Sequence, residues 1–207
     1  IENCSSGGQR NEPSMMALCS VGCFSDTHEC VQIPVMAANM HRVILPRQNL
    51  VWCVVRPQDD ARRLYYSLAA TLLGRMCLSG DITRLPEAGQ RIVDEAIAFY
   101  RLAVPVIKNG FSRRYGPPVV NYAHPQGWQA MVRTNAEYAL VVVHTFGGNI
   151  PPRIDLPVPP GSELVAALSE GAGCRVRGTT LEHVPTGNFA GAAYLLRVTN
   201  TAVRGAE

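Results

Sequence analysis

Short apolar runs in the first half of the chain alternate with segments of helical periodicity. The strand-like segment at residues 1–4 and the apolar runs at 21–24, 50–55 and 76–78 predict β-strands, and the run Leu-Val-Trp-Cys-Val-Val at 50–55 is typical of a strand buried on both faces. The segments that follow them predict helices, one of which is opened by Asp59 and Asp60 at its positive dipole end. The order strand–helix occurs four times. It predicts a parallel sheet with right-handed crossovers, equivalent to half of an eightfold barrel.

The pattern changes after residue 126. Short strand-like runs are separated there by Gly and Pro, which predicts an antiparallel β-sandwich. The stretch before it contains Gly116-Pro117-Pro118 and predicts a linker. We therefore expect half of a β/α barrel at residues 1–110, a linker at 111–126 and a β-sandwich domain at 127–207.

Composition narrows the class of protein. The chain has 207 residues and a net charge of +3, which is too small to indicate nucleic acid or a membrane surface as a partner. No apolar stretch reaches the roughly 18 residues of a membrane span, and no signal peptide opens the chain. Seven cysteines, none in a Cys-x-x-Cys pair, predict reduced structural thiols in a cytoplasmic protein. Because the first residue is not Met, we expect the true N-terminus to lie upstream.

Two of the predicted strands run directly into polar loops. Residues 2–12 form a Gly-rich stretch, and Ser25 and Asp26 follow the second strand. Gly lets a backbone approach a ligand closely, and strands that end in polar residues suggest the C-terminal rim of a β/α barrel. From these residues alone, Asp26 is either a functional carboxylate or a helix N-cap. Arg10 is either a ligand contact or an exposed turn residue.

The run Asn3-Cys4-Ser5-Ser6-Gly7-Gly8-x-Arg10, followed by Ser25-Asp26, resembles the retaining α-galactosidases (melibiases) of glycoside hydrolase family 36. The similarity continues through Leu45-Pro46-x-Gln48 and residues 73–85. It implies that the four strands are the fifth to eighth of a (β/α)8 TIM barrel, that a β-sandwich follows the barrel, and that the chain is a C-terminal fragment.

The resemblance also implies roles for individual residues. Asp26 takes the place of the general acid/base, which protonates the leaving oxygen and then accepts a proton from water. Cys4, Gly7, Gly8 and Arg10 take the place of the sugar-binding stretch. The family usually has Asp two positions beyond the Arg, and this chain has Glu12 there, so the role of that position stays open.

The family's nucleophile is an Asp in a Lys-Trp-Asp run of the fourth strand. This sequence contains no such run, since its two tryptophans are Trp52 and Trp128. We therefore expect the chain to carry the acid/base side of the site, to lack the nucleophile and to be inactive alone.

Other polar residues have weaker claims on function. His28 and Glu29 lack a third ligand at a suitable spacing, so no metal site is expected. Asp81 either borders the pocket or caps a helix. Trp52 lies in an apolar run and is expected in the core. No phosphate-binding loop is present, and no cofactor is expected.

The resulting hypothesis is a retaining α-galactosidase that cleaves terminal α-linked galactose from oligosaccharides, with a homo-oligomeric full-length enzyme left open. One alternative is an α-N-acetylgalactosaminidase or a galactosyl-transferring relative on the same scaffold. Another is a carbohydrate-binding or structural remnant without catalysis.

Overall fold

The structure, a computed structural model, describes residues 1–4 and 8–199. Its helices are α1 (Pro13–Leu18), α2 (Ile33–Met40), α3 (Ala61–Thr71) and α4 (Glu87–Asn109), with 3-10 turns at Pro46–Gln48 and Ile82–Arg84. The first strands are β1 (Glu2–Asn3), β2 (Val21–Cys23), β3 (Asn49–Val55) and β4 (Arg75–Gly80). The later strands are β5 (Phe111–Tyr115), β6 (Trp128–Thr134), β7 (Tyr138–Thr145), β8 (Ile154–Pro157), β9 (Ser162–Ser169), β10 (Gly173–Arg177), β11 (Thr180–Val184) and β12 (Gly191–Val198).

Strands β1 to β4 form a parallel sheet in sequential order. The register pairs Cys23 with Leu50 and Trp52 with Cys77. Each of the first three strands is followed by a helix before the next strand, as in consecutive units of a β/α barrel. Within the described ranges, β1 and β4 each have one neighbour, so the sheet stays open. The predicted half-barrel class is confirmed.

Helix α3 shows how the sequence sets these elements. Asp60 is its N-cap, and its Oδ1 accepts a hydrogen bond of 2.8 Å from the backbone N–H of Arg63. Leu64 and Leu68, which lie on one face of the helix, are buried. The predicted opening of this helix by the Asp59–Asp60 pair is confirmed, with Asp60 as the cap.

The remaining strands form two antiparallel sheets. One has five strands in the order β5-β6-β7-β12-β9, and the other has three in the order β10-β11-β8. Val141, Tyr194 and Leu196 of the larger sheet pack with Leu156 and Leu181 of the smaller one. These two layers confirm the predicted sandwich.

The five-stranded sheet is covered on its other face as well. Leu140, Val142 and Leu195 point to helices α3 and α4 and share a core with Leu68 and Ala103. The molecule is therefore layered as parallel sheet, helices, five-stranded sheet and three-stranded sheet. None of the helices in residues 1–4 and 8–199 is long and apolar enough to cross a membrane.

The segment 111–126 differs from the predicted linker at its start. Its first five residues are strand β5, which pairs with β6 in antiparallel register from Phe111↔Thr134 to Tyr115↔Ala130. Polar Ser and Arg side chains in this edge strand hide its strand character in the sequence. The domain boundaries at 110 and 127 stay a prediction.

Candidate active site

The parallel sheet presents one covered and one open face. In β3, Val51, Cys53 and Val55 are buried, whereas Trp52 and its neighbours Leu50 and Val54 are half-buried on the opposite face. The predictions that β3 is buried on both faces and that Trp52 belongs to the core are therefore wrong for this chain. A barrel strand has an apolar inner face too, so the sequence pattern does not reveal which face is open.

Trp52, in the middle of β3, contacts the end of β2 on the open face. Its indole Nε1–H donates to Cys23 Sγ at 3.2 Å, and that thiol lies 3.1 Å from the carbonyl oxygen of Ser25. The ring of His28 stacks on Trp52, with ring centroids 6.0 Å apart and planes inclined by 19°. An aromatic surface therefore lies beside the end of β2, on the open face of β3, and sequence analysis did not predict it.

Burial raises the pKa of the Cys23 thiol, and the nearby Asp26 carboxylate and Cys4 thiol raise it further. Cys23 is thus a neutral structural thiol, since nucleophilic attack requires the thiolate. Asp26 and Cys4 thus both act on the thiol of Cys23 through their charge. Cys4 itself is exposed, directly after β1.

Asp26 lies in the loop between β2 and α2, and it is exposed. Helix α2 begins at Ile33 with Gln32 as its N-cap, so Asp26 is not a helix cap. The hydroxyls of Ser25 and Thr27 hold the loop by accepting the backbone N–H groups of Thr27 and Glu29 at 3.1 and 3.2 Å. The Asp26 carboxylate makes no hydrogen bond within the described residues and is accessible to a ligand.

The Gly-rich loop after β1 packs against the end of β2. Gly8 has a φ of +93°, and a Cβ at this position would collide with the carbonyl oxygen of Phe24. Only Gly combines this backbone angle with so close an approach. Gly8 therefore serves to bring the loop beside Asp26. Gly7, the other predicted glycine, lies outside the described residues.

Two buried amides fasten the same loop. Asn3 Nδ2 donates to the carbonyl oxygen of Arg10 at 2.8 Å, and Asn11 Nδ2 donates to the carbonyl oxygen of Cys23 at 2.8 Å. The Arg10 side chain is exposed at this rim. Asn3 and Asn11 have positioning roles that sequence analysis did not assign. The sequence feature that could have indicated these roles is an asparagine on each side of Gly7 and Gly8.

The structure places the two remaining acidic candidates differently. Glu12 lies at the N-cap position of α1, where its Oε1 accepts a 2.7 Å hydrogen bond from the Ser14 hydroxyl. Glu12 therefore helps to fix the start of the helix. Asp81 follows β4, and its backbone N–H donates to the carbonyl oxygen of Val55 at 3.0 Å. It precedes the 3-10 turn but makes no side-chain capping bond. Asp81 is therefore a rim residue with an exposed carboxylate.

No metal site is assembled within residues 1–4 and 8–199, where no group of three His, Cys, Asp or Glu side chains converges. Two of the larger cavities, about 480 and 520 Å³, share Arg47 and Gln48 at the opposite end of the sheet, where β3 begins. The Asp26 rim is an open surface. We place the site there on the chemistry of its side chains, because cavity volume alone favours the end without carboxylates.

Comparison with protein-family models finds no match, and no curated protein matches the chain. Several solved structures do match. They include a variant of the family 36 α-galactosidase AgaA from Geobacillus stearothermophilus in complex with raffinose, with 19% identity, a TM-score of 0.72 and coverage of 96% of this chain and 28% of that one. AgaB from the same organism gives 20% identity, a TM-score of 0.67 and the same coverages.

The α-galactosidase of Lactobacillus brevis gives 13% identity and a TM-score of 0.67 over 89% of this chain and 27% of that one. The present chain therefore spans just over a quarter of the length of these neighbours. Its fold is that of the C-terminal part of family 36 α-galactosidases, as the sequence resemblance implied.

Proposed function

We propose that this chain forms the acid/base side of the active site of a retaining α-galactosidase of glycoside hydrolase family 36. The observation that carries the proposal is the exposed Asp26 carboxylate, which has no partner among the described residues, in the loop that follows β2 near the Trp52–His28 surface and the Gly8 loop. The C-terminal ends of parallel strands are where barrel enzymes place their catalytic groups. The fold likeness to α-galactosidases supports the same conclusion.

In the proposed reaction Asp26 gives its proton to the glycosidic oxygen as the bond to galactose breaks. It then accepts a proton from the water that releases galactose from the enzyme. Retention requires a second carboxylate about 5–5.5 Å away as nucleophile. That group comes from the Lys-Trp-Asp strand of the complete protein, which lies outside this sequence.

Cys4, Gly7, Gly8 and Arg10 bind hydroxyls of the galactose in this proposal. The backbone of the Gly8 loop offers N–H donors, and the Arg10 guanidinium offers a planar fork of donors. The partner is a neutral oligosaccharide with a terminal α-linked galactose, and the reaction takes place in the cytoplasm. No cofactor or metal takes part in the proposed steps.

The test uses the complete gene product that carries this chain. Asp26→Ala should lower turnover of substrates with poor leaving groups by about 10²–10⁴-fold, because a general acid matters most for a basic departing oxygen. An activated aryl α-galactoside should still form the glycosyl-enzyme. Azide, which needs no deprotonation, should restore its breakdown and give a galactosyl azide of retained α configuration.

The matched control is Asp81→Ala, which removes another exposed carboxylate at the end of a parallel strand. It should leave the leaving-group dependence unchanged. Equal loss of turnover on all leaving groups in Asp26→Ala, without azide rescue, would sink the assignment. A complete protein that binds galactosides without turnover would support the non-catalytic alternative.

A further inference from the structure

A groove lies beside the Asp26 loop, between that loop and the antiparallel part of the molecule. It encloses about 390 Å³, and its lining includes the side chains of Glu29, Gln32, His124, Gln126 and Phe189. We call it the Phe189 groove. We propose that it binds the neutral sugar residues on the leaving-group side of an α-galactoside, an inference that rests on the function proposed above.

Phe189 has an unusual backbone. Its φ is 51°, and among the described residues it is the one non-glycine residue with a positive φ. This conformation costs free energy for a bulky residue and would be cheaper for Gly. A Phe held there by its surroundings is therefore explained best by a role for its side chain.

The ring of Phe189 is placed to offer an apolar surface. It is 39% exposed and separates the groove from a second cavity of about 220 Å³. The ring edge lies against Gly147, where an added Cβ would be 3.6 Å from Phe189 Cζ. An exposed aromatic ring held by its edge can pack against the apolar C–H side of a sugar ring.

Polar groups that match sugar hydroxyls converge on the same groove. The side chains of Glu29, Gln32, His124 and Gln126 make no hydrogen bond within the described part of the chain. Amides and imidazole offer donors and acceptors, and the Glu29 carboxylate accepts. Lysine and arginine are absent from the described residues that line the groove, so a neutral ligand fits better than an anionic one.

The groove is close to Asp26 and is preformed. Glu29 is three residues from Asp26, so their Cα atoms are at most about 11 Å apart. One oligosaccharide can therefore reach both places. The wall of the groove is fixed from behind, because the Tyr66 hydroxyl donates to the Val31 carbonyl oxygen at 2.9 Å and Gln129 Nε2 donates to that of Pro34 at 2.7 Å.

The experiment titrates the ¹⁵N-labelled chain with two probes and follows backbone amide signals. Sucrose, a disaccharide without galactose, should shift the signals of Glu29, Gln126 and Phe189. Methyl α-galactoside should instead shift those of Gly8 and Asp26. Phe189→Leu, which keeps apolar bulk but removes the ring, should weaken sucrose binding about fivefold or more. Phe111→Leu is the matched control, since Phe111 is an exposed Phe on β5 outside the groove.

Phe189→Gly separates a binding role from a structural one. Gly adopts the positive φ without strain, which offsets part of the packing and chain entropy that the change costs, so the melting temperature should fall only slightly while sucrose binding is lost. Unchanged sucrose affinity in Phe189→Leu, or no sucrose-induced shift up to the solubility of the sugar, would overturn the proposal that the Phe189 groove binds sugar. The methyl α-galactoside titration reports on the Asp26 rim separately, so either site can fail without the other.

Discussion

The two large sheets of this molecule have similar apolar strands but opposite surroundings. The five-stranded antiparallel sheet is covered on one face by helices and on the other by the three-stranded sheet. Among the described residues, helices cover the four-stranded parallel sheet on one face only, and Leu50, Trp52 and Val54 are half-buried on the other. The difference shows that an apolar strand can mark either a finished core or a surface where a ligand or another part of a protein belongs.

The largest expected effect comes from placing one carboxylate on each sheet and comparing the two losses of unfolding free energy. Leu195→Asp puts a carboxylate at a fully buried position of β12 between two layers, and it should lower the free energy of unfolding by more than about 4 kcal/mol. Val54→Asp places the same group on the open face of β3 and should cost about 1 kcal/mol or less. Urea denaturation measures both, and equal losses would show that the open face is covered in solution.

The same contrast explains what the sequence predicts well. The βα order and the capping pair Asp59–Asp60 depend on local periodicity and chain chemistry, so the half-barrel and its helices could be predicted. The position of Trp52 could not, because an inner barrel strand is apolar on both sides. Strand β5 was missed because its polar residues gain strand character only from pairing with β6.

The candidate site also contains residues that the sequence reveals and residues that only the fold reveals. The Ser25-Asp26 pair and the glycines could be found from a local motif. The side chains of Asn3 and Asn11 donate hydrogen bonds to the carbonyl oxygens of Arg10 and Cys23, which are 7 and 12 residues away in the sequence. Only the folded structure shows these partners. The Phe189 groove joins loops from both halves, a contact that no local pattern encodes.

Acid should weaken the doubly covered sheet through His144. This side chain is buried, its Nε2 lies 3.0 Å from the Tyr66 carbonyl oxygen, and burial lowers its pKa to about 4. An unfolded His titrates near pH 6.5, so the unfolded state takes up a proton while the folded state stays neutral. The stabilisation is complete above about pH 6.5 and is lost as the pH falls from there towards 4.

The loss from His144 is on the order of 3 kcal/mol across this window. His144→Phe should reduce the fall in unfolding free energy between pH 7 and pH 5, whereas His124→Gln, which alters an exposed His, should not. Unfolding free energies from urea titrations at the two pH values provide the measurement. An unchanged pH dependence in His144→Phe would show that His144 is not the titrating group.

Arg133 joins the two halves of the molecule at the end of α4. Its Nε donates to the carbonyl oxygens of Val106 and Ile107 at 2.9 and 3.1 Å, and its Nη1 donates to Ser112 Oγ at 2.8 Å. Arg133→Met keeps much of the volume but leaves these carbonyls without a charged donor, and it should cost about 2 kcal/mol. Arg113→Met, an exposed change on β5, should cost about 0.5 kcal/mol or less. Equal costs would mean that Arg133 acts by packing alone.

The smallest expected effect separates two of the carboxylates that follow parallel strands, Asp26 and Asp60. Asp60 caps α3 through Oδ1, so Asp60→Ala should lower the free energy of unfolding by about 1 kcal/mol. Asp26 precedes α2 by several residues and makes no capping bond, so Asp26→Ala should change it by less than about 0.5 kcal/mol. Because a catalytic acid contributes nothing to stability through a cap, this pair of variants tests the assignment of Asp26 without an activity assay. A loss in Asp26→Ala as large as that in Asp60→Ala would favour a folding role for Asp26, and the acid/base would then have to be sought at Glu29 or Asp81.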